Sequence, residues 1–343
     1  MAALTNIWGG ARFGSQVEVL DLRHFAAVQI RPLLKDEAAK WQRRLQWDYT
    51  GSVELLLEYL DGRVLPGYVA MQNGRVIGYA FGVMEGAKAV IGDAYAFGEA
   101  EGTVNPVCDT LLHHLIEMLQ AAPGVERIES QLLMFPVGAL AGPFFSRGFR
   151  AYPRLFMMGD VRRVVETQVP KGEGPGAPAL VAVPVGMRME AWRPEFYDAA
   201  AELIHRCYLG HEDSSINDQY RSVHGSLRFL HNIIRFPGCG AFDAANSWVL
   251  RDERTMQPQA MLLSSRVQKD VGHVTQLCVS PALRGLGLGK LLMQQAARHL
   301  LKQGGRVLSL TVTENNAPAL KLYEELGFGV AHRFEAMVWD ESA

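Results

Sequence analysis

Three glycines at alternate positions stand between two cations in the run Arg284-Gly285-Leu286-Gly287-Leu288-Gly289-Lys290, and a helix-periodic segment follows. Glycines let a backbone approach an anion closely, and the unpaired N–H groups and positive dipole end of a helix N-terminus attract it. Arg284 and Lys290 add positive charge at the same place. The run therefore predicts a phosphate or pyrophosphate site at the start of a helix.

Two common phosphate-binding loops do not fit these residues. A Walker A loop would place glycine at position 284 and a hydroxyl at position 291, where the chain has Arg284 and Leu291. The dinucleotide pattern G-x-G-x-x-G, started at Gly285, would need glycine where Lys290 stands. A nucleoside triphosphate and NAD are therefore disfavoured as ligands.

A second group of residues recurs at helical spacing further along the chain: Asn316, Ala319, Leu322 and Tyr323, followed by Gly327-Phe328. Asparagine is a preferred helix N-cap. A phenol has a reference pKa of about 10, so Tyr323 stays protonated at neutral pH and can donate a proton. This segment predicts a helix that carries a proton donor.

The elements that must position these residues form a mixed α/β pattern. Hydrophobic periodicity predicts a strand hairpin, a third strand, an amphipathic helix, a strand, a helix and a final strand pair. In order, these are Ser247–Leu250 with Gln259–Val267, His273–Val279, Gly287–Lys302, Arg306–Thr313, Ala317–Leu326 and Phe328–Trp339.

The first half of the chain repeats this order, which indicates an internal repeat. Its predicted elements are Gly67–Met71 with Arg75–Met84, Ala89–Phe97, a helix over Val107–Gln120, Arg127–Leu132, a short helix near Leu140–Ser146, and Phe149–Met158. A Gly/Pro-rich stretch over residues 171–178 is typical of a linker. We therefore predict a first copy over residues 1–160, a linker over 161–186 and a second copy over 187–343.

The two copies differ at the residues that could do chemistry. The first copy has Phe144 four residues before its Gly148-Phe149, where the second has Tyr323 before Gly327-Phe328. Residues 103–109 also contain no glycine cluster. Without the hydroxyl and the glycine loop, the first copy is predicted to be non-catalytic.

Bulk composition excludes several classes of protein. A formal net charge of −2 with 20% charged residues gives no bias towards nucleic acid. Neither a basic, apolar leader nor a membrane-length apolar run is evident, so we expect a cytoplasmic protein with no membrane partner. The four cysteines form no CxxC pair, so we expect neither a disulfide framework nor a metal site.

The two motifs together resemble the GNAT superfamily of N-acetyltransferases. Arg284-x-x-Gly287-x-Gly289 resembles its pyrophosphate loop, and Asn316-x-x-Ala319-x-x-Leu322-Tyr323 resembles its later helix. The resemblance covers about residues 187–340 closely and the first half loosely. It implies two tandem GNAT-like domains of α/β (α+β) class, each a mostly antiparallel sheet flanked by helices, with acetyl-CoA as cofactor.

The resemblance also implies roles for particular residues. The cofactor would lie against the strand Leu277, Cys278 and Val279, whose backbone N–H groups would stabilise the oxyanion. The pyrophosphate would contact residues 284–290, including Leu286 and Leu288, and Asn316 would cap its helix and orient the cofactor. Tyr323 would be the acid that protonates the departing thiolate, and Cys278 a wall residue rather than a nucleophile.

The general base is left open among three side chains, in the order Glu212, His273, His211. His273 lies on the strand beside the expected thioester, whereas the other two lie in the acidic loop over residues 210–218. The acidity of that loop would suit a cationic amine. It is equally compatible with a solvated connection between helices.

The leading hypothesis is an N-acetyltransferase that moves acetyl to a primary amine by direct attack in a ternary complex. The acceptor is a small molecule or a peptide, and the oligomeric state is left open. One alternative is an acyl-CoA-binding sensor without turnover. The other is an enzyme that acetylates protein N-termini or lysines.

Overall fold

The computed structural model describes residues 17–98, 105–167, 183–236 and 238–341. The strands in these ranges are β1 (Glu18–Asp21), β2 (Gly67–Gln72), β3 (Arg75–Glu85), β4 (Lys88–Ala96), β5 (Arg127–Ser130), β6 (Arg150–Asp160), β7 (Met187–Ala191), β8 (Ala241–Phe242), β9 (Trp248–Asp252), β10 (Pro258–Gln268), β11 (Val271–Val279), β12 (Val307–Thr313) and β13 (Gly329–Asp340). The α-helices are α1 (Ala27–Leu45), α2 (Thr50–Asp61), α3 (Pro106–Gln120), α4 (Ala141–Phe145), α5 (Val161–Glu166), α6 (Tyr197–Tyr208), α7 (Asp213–Ile216), α8 (Val223–Arg235), α9 (Leu288–Lys302) and α10 (Ala317–Glu325).

The strands join into one mixed sheet in the order β1-β2-β3-β4-β5-β13-β6-β12-β11-β10-β9-β7, with β8 beside β10. The pairs β4–β5 and β11–β12 are parallel, and the other pairs are antiparallel. A mixed sheet flanked by helices is the predicted fold class, and it is confirmed.

Corresponding elements of the two halves have equal lengths. β3 and β10 have 11 residues each, β4 and β11 have 9, and α3 and α9 have 15. Both hairpins also carry a bulge at the same place, where the pairing skips Gly92 in β4 and Thr275 in β11. The halves follow one plan, including an irregularity that hydrophobic periodicity does not reveal.

The last strands of the two halves exchange neighbours. β6 of the first half pairs with β12 of the second along residues 154–160. β13, at the end of the second half, lies between β5 and β6. We predicted a sheet for each copy; here the two sheets are continuous, and each is completed by the final strand of the other.

Two local predictions differ from the structure. Residues 328–339 were predicted as a strand pair but form most of a single strand, β13, with a register shift between Val330 and His332. The stretch 161–186 was predicted as a linker, but it begins with α5, whose Val161 and Val164 are buried in the core of the second half. Three valines in a six-residue helix are too short a pattern to distinguish a packed helix from a connection. The Gly/Pro-rich residues 171–178 lie outside the described residues.

The cores follow the strand exchange. β6 contributes Leu155 and Met157 to the cluster under α9 and β12, whereas β13 contributes Met337 to the cluster under α3 and β4. Each of these two hydrophobic clusters thus contains side chains from both halves. Within the described ranges, no helix combines the length and the apolar character needed to cross a bilayer.

Candidate active site

A cavity of about 910 Å³ opens where β11 and β12 separate. These strands pair from Val271 opposite Val307 to Val274 opposite Leu310 and no further, although both continue. The bulge at Thr275 immediately follows the last pair, and bulges bend a strand and end its pairing. The cavity is in the size range of ligand pockets, about 300–1,000 Å³.

The glycine loop forms one end of this cavity. Gly285 and Gly287 have φ of +81° and +75°, a conformation that glycine adopts without strain. Gly287 is the N-cap of α9, and the first helical bond runs from the Leu291 N–H to its carbonyl at 3.0 Å. The N–H groups of residues 288–290 therefore face the open end of the helix, as an anion site requires.

Gly289 has a different role from the two turn glycines. A Cβ at this position would lie 3.1 Å from Cδ2 of Leu322 on α10. The absence of a side chain thus lets α9 approach the helix that carries Tyr323. The alternate glycines supply both the turn and the close packing.

The other predicted loop residues divide into two groups. Leu288 is buried and, like Lys290, lines the cavity. Arg284 also lines it, but its Nη2 donates to the Cys207 carbonyl at 2.9 Å, so this side chain ties the loop to α6. Leu286 is 56% exposed and is not part of the cavity lining.

The wall of the cavity is the part of β11 that continues beyond its pairing with β12, and it includes Leu277, Cys278 and Val279. Burial raises the pKa of the Cys278 thiol well above its usual value, which opposes formation of a nucleophilic thiolate. Cys207 lies beside it, and a hydrogen bond with Cys278 lowers the Cys207 pKa. These contacts fit the prediction that Cys278 is a wall residue.

Tyr323 lines the same cavity from α10. It is 7% exposed and lies four residues before Gly327, whose φ of +84° ends the helix. Burial, followed by the charges of Asp213 and Cys278, raises the pKa of its phenol. The hydroxyl therefore keeps its proton over the whole ordinary pH range, as a proton donor must.

Asn316 caps α10 as predicted, accepting a hydrogen bond from the Ala319 N–H at 3.2 Å. Its amide is also 3.5 Å from Nε2 of His211, and Asn315 Nδ2 donates to Glu212 at 3.3 Å. The acidic loop is thus held against the start of α10. Glu212 and His211 are half-buried and line the cavity.

The first half holds the other end of this loop. Lys88 Nζ lies 2.6 Å from Asp218 Oδ1 and 3.2 Å from Glu129 Oε2. The Asp218 N–H donates to Glu129 Oε1 at 2.8 Å, and Arg127 Nη2 donates to the Ser215 carbonyl at 2.6 Å. The loop is therefore an ordered part of the boundary between the halves.

His273 is 5% exposed, and its Nδ1 is 2.9 Å from Ser309 Oγ. Its ring stacks on Phe156 and lies 4.9 Å from the Trp47 ring. Burial lowers its pKa to about 3, so its affinity for a proton at neutral pH is small. This environment opposes the predicted role as a base, which the sequence could not show because Phe156 and Trp47 come from the other half.

Several cavity residues were not predicted to form the site. Tyr208 and Tyr220 stack at 4.2 Å, and both hydroxyls bond Gln276. Arg154 and Gln131 reach the cavity from the first half. Arg154 lies on the exchanged strand β6 and Gln131 directly follows β5, so no local signal could have placed these two residues at a site of the second half. Across the described residues, no cluster of three His, Cys, Asp or Glu side chains could hold a metal ion.

Comparisons with known proteins agree with this geometry. Residues 212–328 match the model of the Acetyltransferase (GNAT) family. A mycothiol acetyltransferase from Thermomonospora curvata is 36% identical over 100 residues, 24% of this chain and 34% of that protein. One from Gordonia bronchialis is 29% identical over 185 residues, 50% of this chain and 54% of that protein. These alignments therefore span from a third to about half of the curated relatives.

A solved structure supports the tandem arrangement. The tandem GNAT protein from the clavulanic acid biosynthesis pathway superposes with a TM-score of 0.56 at 14% identity, covering 95% of this chain and 99% of that one. At this identity the likeness concerns the fold alone. The family match includes the glycine loop, β12 and α10, which enclose the cavity. Residues 212–328 are therefore similar to the Acetyltransferase (GNAT) family.

Proposed function

We propose that the second half binds acetyl-CoA and transfers its acetyl group to a primary amine by direct attack. The observation that carries this proposal is that one cavity connects the open N-terminus of α9 with the phenol of Tyr323. The cavity combines an anion site with a group that can donate a proton. This combination suits an acetyl thioester that is attached to a phosphorylated carrier. The acetyltransferase names of the curated relatives support acetyl as the transferred group.

The binding residues follow from the geometry. The N–H groups of residues 288–290, with Lys290, would hold the pyrophosphate, and the unpaired edge of β11 would hold the pantetheine arm. Acetyl-CoA supplies an activated acetyl thioester. Outward backbone N–H groups of β11 would stabilise charge on the thioester oxygen, a contribution of several kcal/mol in acyl transfer.

Two proton transfers are assigned to side chains. As the carbon–nitrogen bond forms and the carbon–sulfur bond breaks, Tyr323 donates its proton to the sulfur. Glu212 accepts the proton that the amine loses, directly or through one water. The products are an amide and a thiol, and the phenol regains its proton from solvent.

Glu212 is preferred to its neighbour Asp213 as the base. Asp213 accepts a hydrogen bond from Thr313, and its carboxylate is 3.8 Å from Arg154. Those contacts already engage the Asp213 carboxylate. Glu212 has one long amide contact, with Asn315.

The first half would shape the acceptor side without taking part in the proton transfers. It contributes Arg154 and Gln131 to the cavity and fixes the loop through Lys88 and Arg127. Its own counterpart of Tyr323 is Phe144, which cannot donate a proton. Both observations support one catalytic site per chain.

Acetyl-CoA titration by calorimetry tests the binding step with a matched pair of variants. Gly285→Glu and Gly304→Glu each add a carboxylate at an exposed glycine with φ of +81° and no atom within 4 Å of the new Cβ. They lie at opposite ends of α9, so backbone strain is equal but only the first repels a pyrophosphate. We expect Gly285→Glu to weaken affinity by more than about tenfold and Gly304→Glu to leave it unchanged.

Thiol release measured against a panel of small amines and peptides then tests transfer. Turnover with small amines supports the proposal, whereas turnover with peptides alone indicates a protein-modifying enzyme. Tight acetyl-CoA binding without turnover on any acceptor would indicate a sensor. Equal loss of affinity in both glutamate variants would contradict the assigned pyrophosphate site.

A further inference from the structure

Arg154 is a cation in the acceptor part of the cavity that the proposed transfer steps do not use. It lies on β6, opposite Thr313 of β12, and reaches the second half through the strand exchange. Its side chain is 12% exposed and lines the cavity. A guanidinium removed from water to this extent needs strong partners.

The partners of Arg154 within the protein are weak. Nη1 lies 3.8 Å from Asp213 Oδ1, beyond hydrogen-bond distance, and Nη2 lies 3.5 Å from Thr311 Oγ1. Nε is buried and has no hydrogen-bond partner. Asp213 is shared, because it also accepts from Thr313 and lies 3.7 Å from His211. Most N–H donors of the Arg154 guanidinium thus lack a good hydrogen-bond partner within the protein, and the group lies beside an open cavity.

The face on which Arg154 lies is the acceptor side. Leu310 and Val312 of β12 are buried in the core under α9 and α10, so the alternate residues Thr311 and Thr313 face the opposite side of the sheet. Both Thr311 and Thr313 contact Arg154 or its partner Asp213. Arg154 therefore faces the loop that carries Glu212 and Asp213, away from that core.

We propose that Arg154 binds a carboxylate of the acceptor, so that the substrate is an amine that also carries a carboxylate, such as a free amino acid. This proposal rests on the proposed acetyl transfer and names its substrate class. The ammonium group would face Glu212 and Asp213 while the carboxylate pairs with the guanidinium. A zwitterion matches this arrangement of one cation and two carboxylates better than a simple cationic amine or a dianionic phosphate.

The test compares free amino acids with their methyl esters and decarboxylated amines, using the intact protein, Arg154→Gln and Arg154→Lys. Initial rates are measured by thiol release, and binding by calorimetry with and without CoA. We expect the intact protein to prefer the free carboxylate by about 10- to 100-fold in kcat/KM, the range of a charged hydrogen bond. In Arg154→Gln this preference should disappear because KM for the free amino acid rises. Arg154→Lys should retain part of the preference.

The outcomes separate this proposal from the acetyl transfer itself. Turnover of amines with no preference for the carboxylate, or an equal preference in Arg154→Gln, would show that Arg154 only pairs with Asp213. A preference for amines bearing phosphate would overturn the carboxylate assignment. If acetyl-CoA does not bind, the transfer proposal fails, while loss of amino-acid binding in Arg154→Gln would still support the anchor. Absence of amino-acid binding to any form would overturn it.

Discussion

The two halves of this protein contain the same gap in the sheet, and among the described residues the large cavity lies at the gap of the second half. β4 and β11 each bulge before the sixth residue, and each loses its parallel neighbour there. Beyond the bulge, β11 faces the 910 Å³ cavity. At the matching place β4 carries Asp93, which lies among buried aromatic and acidic side chains. The duplicated backbone thus provides a gap in each half, and different side chains surround the two gaps.

A polar network of buried side chains surrounds Asp93 in the first half. Asp93 accepts hydrogen bonds from the hydroxyls of Tyr79 and Tyr49, and Glu37 accepts from Tyr79 and from Trp41. Trp41 stacks on Tyr49 at 4.6 Å. The helix after this gap is capped by Asn105, which bonds the Val107 N–H and so occupies a donor that an anion would need. The start of α3 thus has one fewer free N–H group for an anion than an uncapped helix would have.

The strongest way to break the comparison is to separate the halves. Divided near Pro175, the first half would leave β6 without both neighbours, and the second would leave β13 without both. We expect each half alone to aggregate or to form exchanged oligomers, and co-expression to restore a soluble 1:1 complex. Size-exclusion chromatography with light scattering measures this. A monomeric, folded half would show that residues 1–160 or 187–343 form an independent domain.

Removal of the Tyr323 hydroxyl, which the first half lacks at the matching position, should have the next largest effect. Tyr323→Phe makes this residue the same type as Phe144, and we expect kcat to fall by about 10²–10⁴ because the departing thiolate loses its acid. Acetyl-CoA affinity should be unchanged in calorimetry. Tyr59→Phe, at a more exposed tyrosine of α2, is the control. An unchanged kcat would mean that another group protonates the thiolate.

The contact between the two copies can be weakened at Lys88. Its side chain is 5% exposed and pairs with Glu129 and Asp218. Lys88→Met would remove a cation that Glu85, Glu129 and Asp218 share, although Glu129 would keep Arg127. We expect this change to cost about 3 kcal/mol in the free energy of unfolding. Urea denaturation measures the loss, with the exposed Lys269→Met as control. Because the acceptor loop loses an anchor, KM for the amine should also rise, whereas acetyl-CoA affinity should not.

The smallest effect is expected in the polar network around Asp93, where stability should depend on pH. Burial, followed by the charge of Asp93, raises the pKa of Glu37 well above its usual value. Stability from the protonated carboxyl is therefore present below the unfolded pKa of about 4.3 and is lost as pH rises through the folded pKa. Glu37→Gln has no proton to lose at this position. The difference between its melting temperature and that of the intact protein should therefore shift in favour of the variant as pH rises. A constant difference across pH would contradict the shifted pKa.

Much of the site was predictable because it depends on local patterns. The glycine loop, the cap at Asn316 and the place of Tyr323 before Gly327 each follow from residue types at short spacing. The bulge at Thr275 could not be predicted from the sequence, because one extra residue in an apolar strand leaves the overall hydrophobic pattern intact. The environment of His273 could not be predicted either, because its pKa depends on burial beside Phe156 and Trp47 from the other half.

The sequence by itself determined the repeat, the mixed α/β character and the two motifs that resemble the GNAT superfamily, because periodicity, capping and glycine spacing act within a few residues. The tertiary structure alone decided that β6 and β13 change places, that Arg154 lines the cavity, and that Lys88 fixes the acidic loop. Those contacts join residues more than a hundred positions apart. They depend on which strand completes which sheet, a choice made by the packing of the whole chain rather than by any segment of it.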